Sequence, residues 1–186
     1  EFDIAHHIRL ESVNDGLGIT LRLYKSEEDT TGQLLADMGF GITQLVSILL
    51  SIVTHGLLVI KEANPPYTII VIEEPENHLH PAYQSLLADM FYDAWKRLGV
   101  MFVIETHSEY LIRKTQVILA GAYAWNKAER ESCEYDVPPF HNPFKVYYIP
   151  KNDKPYEMIY RKDGNFENDF GTGFYDEAAN LAFQTL

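Results

Sequence analysis

Two apolar stretches, separated by one helical stretch, constrain this chain more than anything else in it. The first, YTIIVIEEPENHLHP over residues 67–81, runs through Thr68, Ile69, Ile70, Val71 and Ile72 to two adjacent carboxyls, Glu73 and Glu74. Pro75 ends the strand, because proline cannot donate to a ladder and fixes the direction of the chain. The second stretch, Val100–Ile104, ends at Glu105-Thr106-His107-Ser108. Between them Tyr83, Leu86, Leu87, Met90, Phe91, Ala94 and Trp95 recur at helical spacing, and Arg97-Leu98-Gly99 closes the helix. Strands apolar throughout and joined by a helix predict a parallel, buried pair in an α/β sheet. Ligands in such sheets lie beyond the carboxyl ends of the strands. Glu73, Glu74 and His107 are therefore expected to meet there, although 33 positions separate Glu74 from His107.

Around this centre the chain reads in order. Residues 3–24 predict a β-hairpin, IAHHIRLESV and GITLRLYK joined by Asn14-Asp15-Gly16-Leu17-Gly18, whose residue types suit turn positions with positive φ. His6 and His7 are adjacent, so they face opposite sides of a strand and read as strand histidines without a metal. Lys25–Thr31 is a polar loop. Next, Gly39-Phe40-Gly41-Ile42-Thr43-Gln44 precedes an apolar run to about Ile60. Glycines before a helix let backbone N–H groups approach an anion closely, and Thr43 is placed to cap that helix or to offer its hydroxyl. Alone, this string reads better as an ordinary glycine-containing loop feeding a buried helix. Ala63-Asn64-Pro65-Pro66 breaks the chain before the central strand. After His107 come a helix from about Ser108 to Leu119 and an irregular, exposed connection over residues 121–143. A hairpin of Phe144–Ile149 and Tyr156–Arg161 follows, then a turn at Asp163-Gly164 and a final helix from about Asp176 to Gln184.

Composition narrows the function classes. With 186 residues the chain can bury one sizeable core. Its 15 basic against 27 acidic residues, a net charge of −12, count against extensive phosphate-backbone binding by these residues. Cys133 is the lone cysteine, which excludes an internal disulfide and suits a reducing, cytoplasmic compartment. The apolar run Leu45–Ile60 is shorter than a membrane span needs and carries His55-Gly56 within it, so it predicts a buried core helix and no membrane partner. The first residues, Glu1-Phe2-Asp3-Ile4, lack a starting Met and the features of a signal peptide, and we expect the protein to begin upstream of them.

The paired acids carry the chemistry. Neighbours on a strand point to opposite faces, so Glu73 and Glu74 are expected to do different things. One can hold a hydrated Mg²⁺, and the other can orient or deprotonate an attacking water. His107 can then reach a transferring phosphoryl group. A zinc site is the competing reading, with His78, His80, Glu76 and His107 as ligands. His-x-His followed directly by proline does not lie on a helix, where an i, i+4 pair would share a face, and no second cluster has ligand spacing. Loop histidines without a metal are the reading we adopt.

VIEEPENHLHP, followed about thirty residues later by IETHSEYLI, resembles the ATPase heads of the ABC/SMC type, and among them the bacterial AAA-domain and OLD-like branch. On that resemblance Ile69–Glu73 is the Walker B strand, Glu73 standing where ABC transporters carry Asp and contacting Mg²⁺. Glu74 matches the catalytic glutamate, Asn77–Pro81 the D-loop, and His107 the switch histidine. Gly39–Gln44 is similar to the signature motif, with Thr43 in place of the usual Ser. The tail DGNFENDFGTGFYDEAANL resembles the region that follows such heads.

The resemblance implies the C-terminal half of a P-loop NTPase head of ABC type. Its parts would be a hairpin over 3–24, a signature, Walker B and switch-histidine core over 37–120, and a C-terminal hairpin and helix over 144–186. No G-x-x-x-x-G-K-[ST] occurs in the sequence, so the P-loop, with its Lys and its Mg²⁺-binding Ser/Thr, is expected upstream. In the family two heads sandwich two ATP molecules, and the signature loop of one closes on the γ-phosphate held by the other. Gly39, Gly41, Thr43, Gln44 and Asn77 would then contact nucleotide. The implied cofactors are ATP and Mg²⁺. The implied partners are a second head, in a homodimer or higher oligomer, and an effector or nuclease protein. DNA would be reached through regions outside this segment. Defence against phage is the setting in which many such heads act, while a non-hydrolysing, nucleotide-gated scaffold is the alternative of a different class.

Overall fold

The computed structural model describes residues 2–13, 18–61, 68–132 and 140–184. The turn expected at Asn14–Leu17, the break at Ala63–Pro66, Tyr67, Cys133 and the Pro138-Pro139 pair lie outside the described residues. The chain divides into two units, Glu1–Ser108 and Glu109–Leu186.

The first unit opens with β1 (His7–Val13) and β2 (Gly18–Tyr24), antiparallel from His7 opposite Tyr24 to Val13 opposite Gly18, within the hairpin expected over residues 3–24. Tyr24 is buried, with its ring stacked on His7 and its hydroxyl donating to Glu11 at 2.7 Å. The loop that follows returns along the sheet and adds a short third strand, β3 (Gln33–Leu34), beside β2. Asp29 organises that return. Its carboxyl accepts from the main-chain N–H groups of Lys25, Thr31 and Gly32 at 3.0–3.2 Å. These bonds favour the ionised form and hold its pKa down at about 2. Two residues carry no alternation to announce a strand, so β3 is invisible to pattern reading.

A 3-10 turn at Leu35–Asp37 leads into α1 (Phe40–Lys61). The helix begins earlier than the sequence suggests, so Gly41, Thr43 and Gln44 lie inside its first turns. Thr43 is therefore not the cap: its N–H already donates to the Gly39 carbonyl at 3.2 Å. Nor does His55-Gly56 interrupt the run. The helix continues through Gly56, where a Cβ would stand 2.6 Å from Leu98 Cδ1, so glycine permits a close approach. Over Phe40–Leu57 the helix is long and apolar enough to cross a membrane by length and composition alone. Contrary to the expectation of a buried core helix, it is covered on one side only. One stripe, with Leu45, Val46, Ile48 and Ile52, is buried, and the helix packs against the next one, while Leu50, Val53 and Leu57 remain exposed.

β4 (Ile69–Glu73) and β5 (Met101–Glu105) form the expected parallel pair, joined by α2 (Pro81–Leu98). Pro81 sits in the first turn of α2, where its missing N–H costs nothing, and His80 caps it by accepting from Ala82 N–H at 3.2 Å. Gly99 ends the helix in the left-handed conformation at φ +69°. Leu87, Ala88, Met90, Phe91 and Ala94 of α2 are buried, Phe91 against Phe102 of β5. The strands differ from expectation in one respect. They were expected to be buried on both faces, but burial alternates. Ile69, Val71, Met101 and Val103 are exposed, Val71 by 69%, because α2 covers only the side on which Phe102 lies.

The second unit contains α3 (Glu109–Ser132), β6 (Val146–Tyr148), β7 (Tyr156–Met158) and α4 (Glu177–Phe183). Helix α3 continues well past Leu119, through residues expected to be irregular, because Asn126–Ser132 is rich in helix-forming Lys, Ala, Glu and Arg. β6 and β7 form the expected antiparallel hairpin. A chain of ring contacts from Tyr148 through Phe170 to Tyr175 fills the space a larger aliphatic core would occupy. The Tyr160 hydroxyl meets Thr115 Oγ1 at 2.6 Å, and its burial pushes its pKa up to about 12.

Candidate functional site

β4 and β5 carry the same triplet, Val71-Ile72-Glu73 and Val103-Ile104-Glu105, and the two are paired residue for residue. Glu73 and Glu105 therefore end adjacent strands directly opposite each other. Like charges so placed repel, and a cation between them would relieve the repulsion.

Glu74 follows with φ +45°, in the left-handed region that disfavours any residue with a Cβ. The surroundings over-determine this strained backbone. Glu74 N–H donates to the Glu105 carbonyl at 2.9 Å, and the Glu74 carbonyl accepts from Asn77 N–H and from Gln44 Nε2, both at 3.0 Å. Its carboxyl is engaged at both oxygens. Asn77 Nδ2 donates to Oε2 at 3.2 Å, and His107 Nε2 lies 3.6 Å from Oε1 and 3.2 Å from Glu105 Oε1. Among the described residues, Glu74, Glu105 and His107 thus bring ligand atoms within 4.8 Å of one another. Glu74 shares this conformation with His78 of the same loop, at φ +59°, and with Asp3, at φ +48°; such strain, held in place by surrounding bonds, is typical of positions where function dictates geometry.

A cavity of about 650 Å³ lies between the start of α1 and the end of β4. Phe40, Thr43, Gln44 and Ser47 line it from the helix, and Glu73, Glu74, Asn77 and Glu105 from the strand ends. The predicted residues Glu73, Glu74, Thr43, Gln44 and Asn77 thus share one cavity, with His107 beside Glu74. The two glycines differ. A Cβ on Gly39 would meet open space, whereas one on the buried Gly41 would stand 2.5 Å from the His78 carbonyl oxygen. Gly41 therefore has a packing reason of its own. Thr43 Oγ1 lies 3.1 Å from the Gly39 carbonyl and 3.3 Å from that of Leu35.

The zinc set is not brought together. His80 Nδ1 is used in capping α2, the His78 ring packs edge-on against Phe40 at 5.0 Å, and Glu76 is buried. Sequence reasoning missed Glu105 as a member of the site, although the repeated Val-Ile-Glu triplet is the signal that places it opposite Glu73. It also missed Ser47, one helical turn beyond Thr43, and named Glu76 only as a zinc ligand.

The donor set fits a divalent cation such as Mg²⁺, which takes oxygen ligands: Glu74 and Glu105 bring carboxyl oxygens together beside His107, and Glu73 lines the same cavity from the end of β4. For a polyphosphate the fit is partial. Thr43, Gln44 and Ser47 supply hydroxyl and amide groups, but among the described residues lining the cavity there is neither Lys nor Arg.

The family described as "AAA ATPase domain" matches residues 3–112. No curated protein matches the chain. Among solved structures, an SMC ATPase, characterised for ATP-driven dimerization and DNA-stimulated activation, is similar with a TM-score of 0.51 and 10% identity, covering 99% of this chain and 83% of that one. At that identity the likeness speaks to the fold, an α/β ATPase fold.

Proposed function

Because the chain belongs to the AAA ATPase domain family, we propose that it forms the catalytic wall of an ATP-hydrolysing head that pairs with a second head. The observation that supports this most is the placement of Glu74, held in a strained conformation at the end of β4 and facing the cavity beside His107.

In this reading Glu74 accepts a proton from a water attacking the γ-phosphorus, as the bond to the bridging oxygen breaks and ADP leaves. Asn77, donating to Glu74 Oε2, fixes the carboxyl, and Oε1, with His107 Nε2 at 3.6 Å, would take that proton. His107, close to Glu74 and Glu105, is the group through which the state of the γ-phosphate is read. Glu73, with Glu105 beside it, would hold Mg²⁺, which when bound offsets phosphate charge. No G-x-x-x-x-G-K-[ST] occurs in the chain, so residues other than these would cradle the β- and γ-phosphates.

Gly39 and the first turn of α1 would approach the nucleotide of the second head, where free N–H groups and the helix dipole favour an anion. ATP would thus bridge the heads, and its hydrolysis would release them, a two-state switch acting on an effector or nuclease partner. Antiphage defence is one setting for such a switch. DNA, if engaged, would meet other regions, given the net charge of −12 here.

The test is Glu74→Gln in the full-length protein. It should keep ATP binding and head pairing while turnover falls by about 10²-fold or more. Equal turnover in the variant and the wild type would overturn the assignment.

A further inference from the structure

Glu76 is the buried acid of the loop after β4, with 8% of its surface exposed. Neither of its oxygens faces a cation in the described structure. Oε1 accepts from the main-chain N–H of His107 at 2.6 Å, across 31 positions of sequence. Oε2 is buried without a hydrogen-bond partner among the described residues. A buried carboxyl with one oxygen unsatisfied is costly, and a loop whose only task was to turn the chain would not need it. What it secures is a single peptide group, that of His107.

The surroundings of that peptide are built to the same end. The next N–H, of Ser108, donates to Thr106 Oγ1 at 3.0 Å. Ser108 Oγ in turn donates to Gln84 Oε1 at 2.6 Å, and Gln84 Nε2 donates to the Leu79 carbonyl at 3.0 Å. The loop after β5 is therefore fastened to the loop after β4 and to α2, while the His107 imidazole remains 75% exposed beside Glu74 and Glu105. An exposed ring on a pinned backbone is free to meet a ligand yet fixed in origin.

We propose that Glu76 is a positioning residue for ATP hydrolysis, acting through the His107 main chain to hold the imidazole against Glu74. This rests on the ATPase reading above and adds to it a residue that touches neither substrate nor metal. The Glu76 side chain needs only to present an acceptor at Oε1. Glutamine can do so, aspartate is one methylene short, and alanine removes the acceptor of the His107 N–H.

The experiment is steady-state ATP hydrolysis by the full-length protein carrying Glu76→Ala, Glu76→Asp, Glu76→Gln, His107→Ala and the Glu76→Ala/His107→Ala double variant, with Glu74→Gln as control. Glu76→Ala should lower kcat about 10- to 100-fold with KM for ATP within about 2-fold, since misplacing a group by about 1 Å costs on that order. Glu76→Asp should fall between, and Glu76→Gln should recover kcat to within about 3-fold of wild type. If Glu76 acts through His107, the double variant loses no more than His107→Ala alone. A nitrogen-15 histidine spectrum should show the His107 imidazole moved by Glu76→Ala, with His6 and His55 unmoved. Multiplying losses in the double variant, or wild-type kcat in Glu76→Asp, would overturn the proposal even where Glu76→Ala fails to fold. Unchanged turnover in Glu74→Gln would instead overturn the ATPase reading, and this role with it.

Discussion

The side-chain amide of Gln44, in the second turn of α1, donates to the main-chain carbonyl of Glu74, 30 positions later, at 3.0 Å. One end of that bond belongs to the helix start proposed to meet the nucleotide of a second head. The other belongs to the residue proposed to activate water. Gln44→Ala should therefore lower kcat about 10-fold with little change in KM, because Glu74 loses one of its main-chain restraints. Gln44→Glu, which sets an acceptor against an acceptor, should lose more. Steady-state turnover in the full-length protein decides it, and a wild-type kcat in both variants would show that the bond does not position Glu74.

Glu73 and Glu105 set function against stability. They stand opposite each other at the ends of β4 and β5. Without a divalent cation, Glu105→Gln should stabilise the chain by a few tenths of a kcal/mol, by removing a like-charge pair. The same substitution should weaken the dependence of turnover on Mg²⁺. Thermal unfolding with and without chelator, beside a Mg²⁺ titration of activity, tests both halves. A lower midpoint for Glu105→Gln in chelator would count against the repulsion.

The two tightly packed glycines of α1 should respond differently to alanine. At Gly56 the nearest atom to a new Cβ is the end of the flexible Leu98 side chain, at 2.6 Å. At Gly41 it is the His78 carbonyl oxygen, at 2.5 Å, which moves only if the loop moves. Gly41→Ala should cost roughly 1–3 kcal/mol of stability. Gly56→Ala regains up to about 1 kcal/mol of helix propensity and should cost less. Denaturant unfolding ranks them, and the reverse order would refute the packing argument.

Asp29 gives the loop before β3 a pH dependence. Three main-chain N–H groups favour its ionised form and hold its pKa at about 2, below the ordinary 3.8. A depressed carboxyl pKa stabilises the fold above the ordinary value, and this contribution is lost as pH falls towards the lowered one. Amide exchange at Thr31 and Gly32 should therefore lose protection between about pH 4 and pH 2. Asp29→Asn should abolish the step, and a step that survives in Asp29→Asn would assign it elsewhere.

The cavity offers a polyphosphate three carboxyls and no Lys or Arg among the described residues that line it. These 186 residues by themselves should accordingly bind ATP weakly even with Mg²⁺. Calorimetry on the isolated chain measures this directly, and micromolar binding would show that phosphate-holding groups have been overlooked.

The parallel pair and its crossover helix were legible because their signals are local: apolar runs, proline and glycine stops, and helical spacing of Leu87, Met90, Phe91 and Ala94. The convergence of Glu74 and His107 was legible from topology, since parallel strands place their carboxyl ends together. The open face of β4 and β5 was not, because Ile69 and Val71 read the same in a covered strand as in an uncovered one. Gln44 and Asn77 were picked out for a ligand. Their bonds to Glu74 depend on a backbone turn at φ +45° that no glutamate advertises. Glu76 was named only as a zinc ligand, for a related reason: a buried acid and an exposed loop acid are the same letter, and only the bond to the His107 N–H distinguishes them.

The left-handed backbone at Glu74 has an evolutionary consequence. Glycine, and to a lesser degree asparagine, occupy that region at lower cost than glutamate, so either would relax the loop. A selection on thermal stability alone would therefore drift away from Glu74, discarding a carboxyl that Asn77 and His107 flank. Mutational libraries scored for folding and libraries scored for turnover should disagree most sharply at this codon.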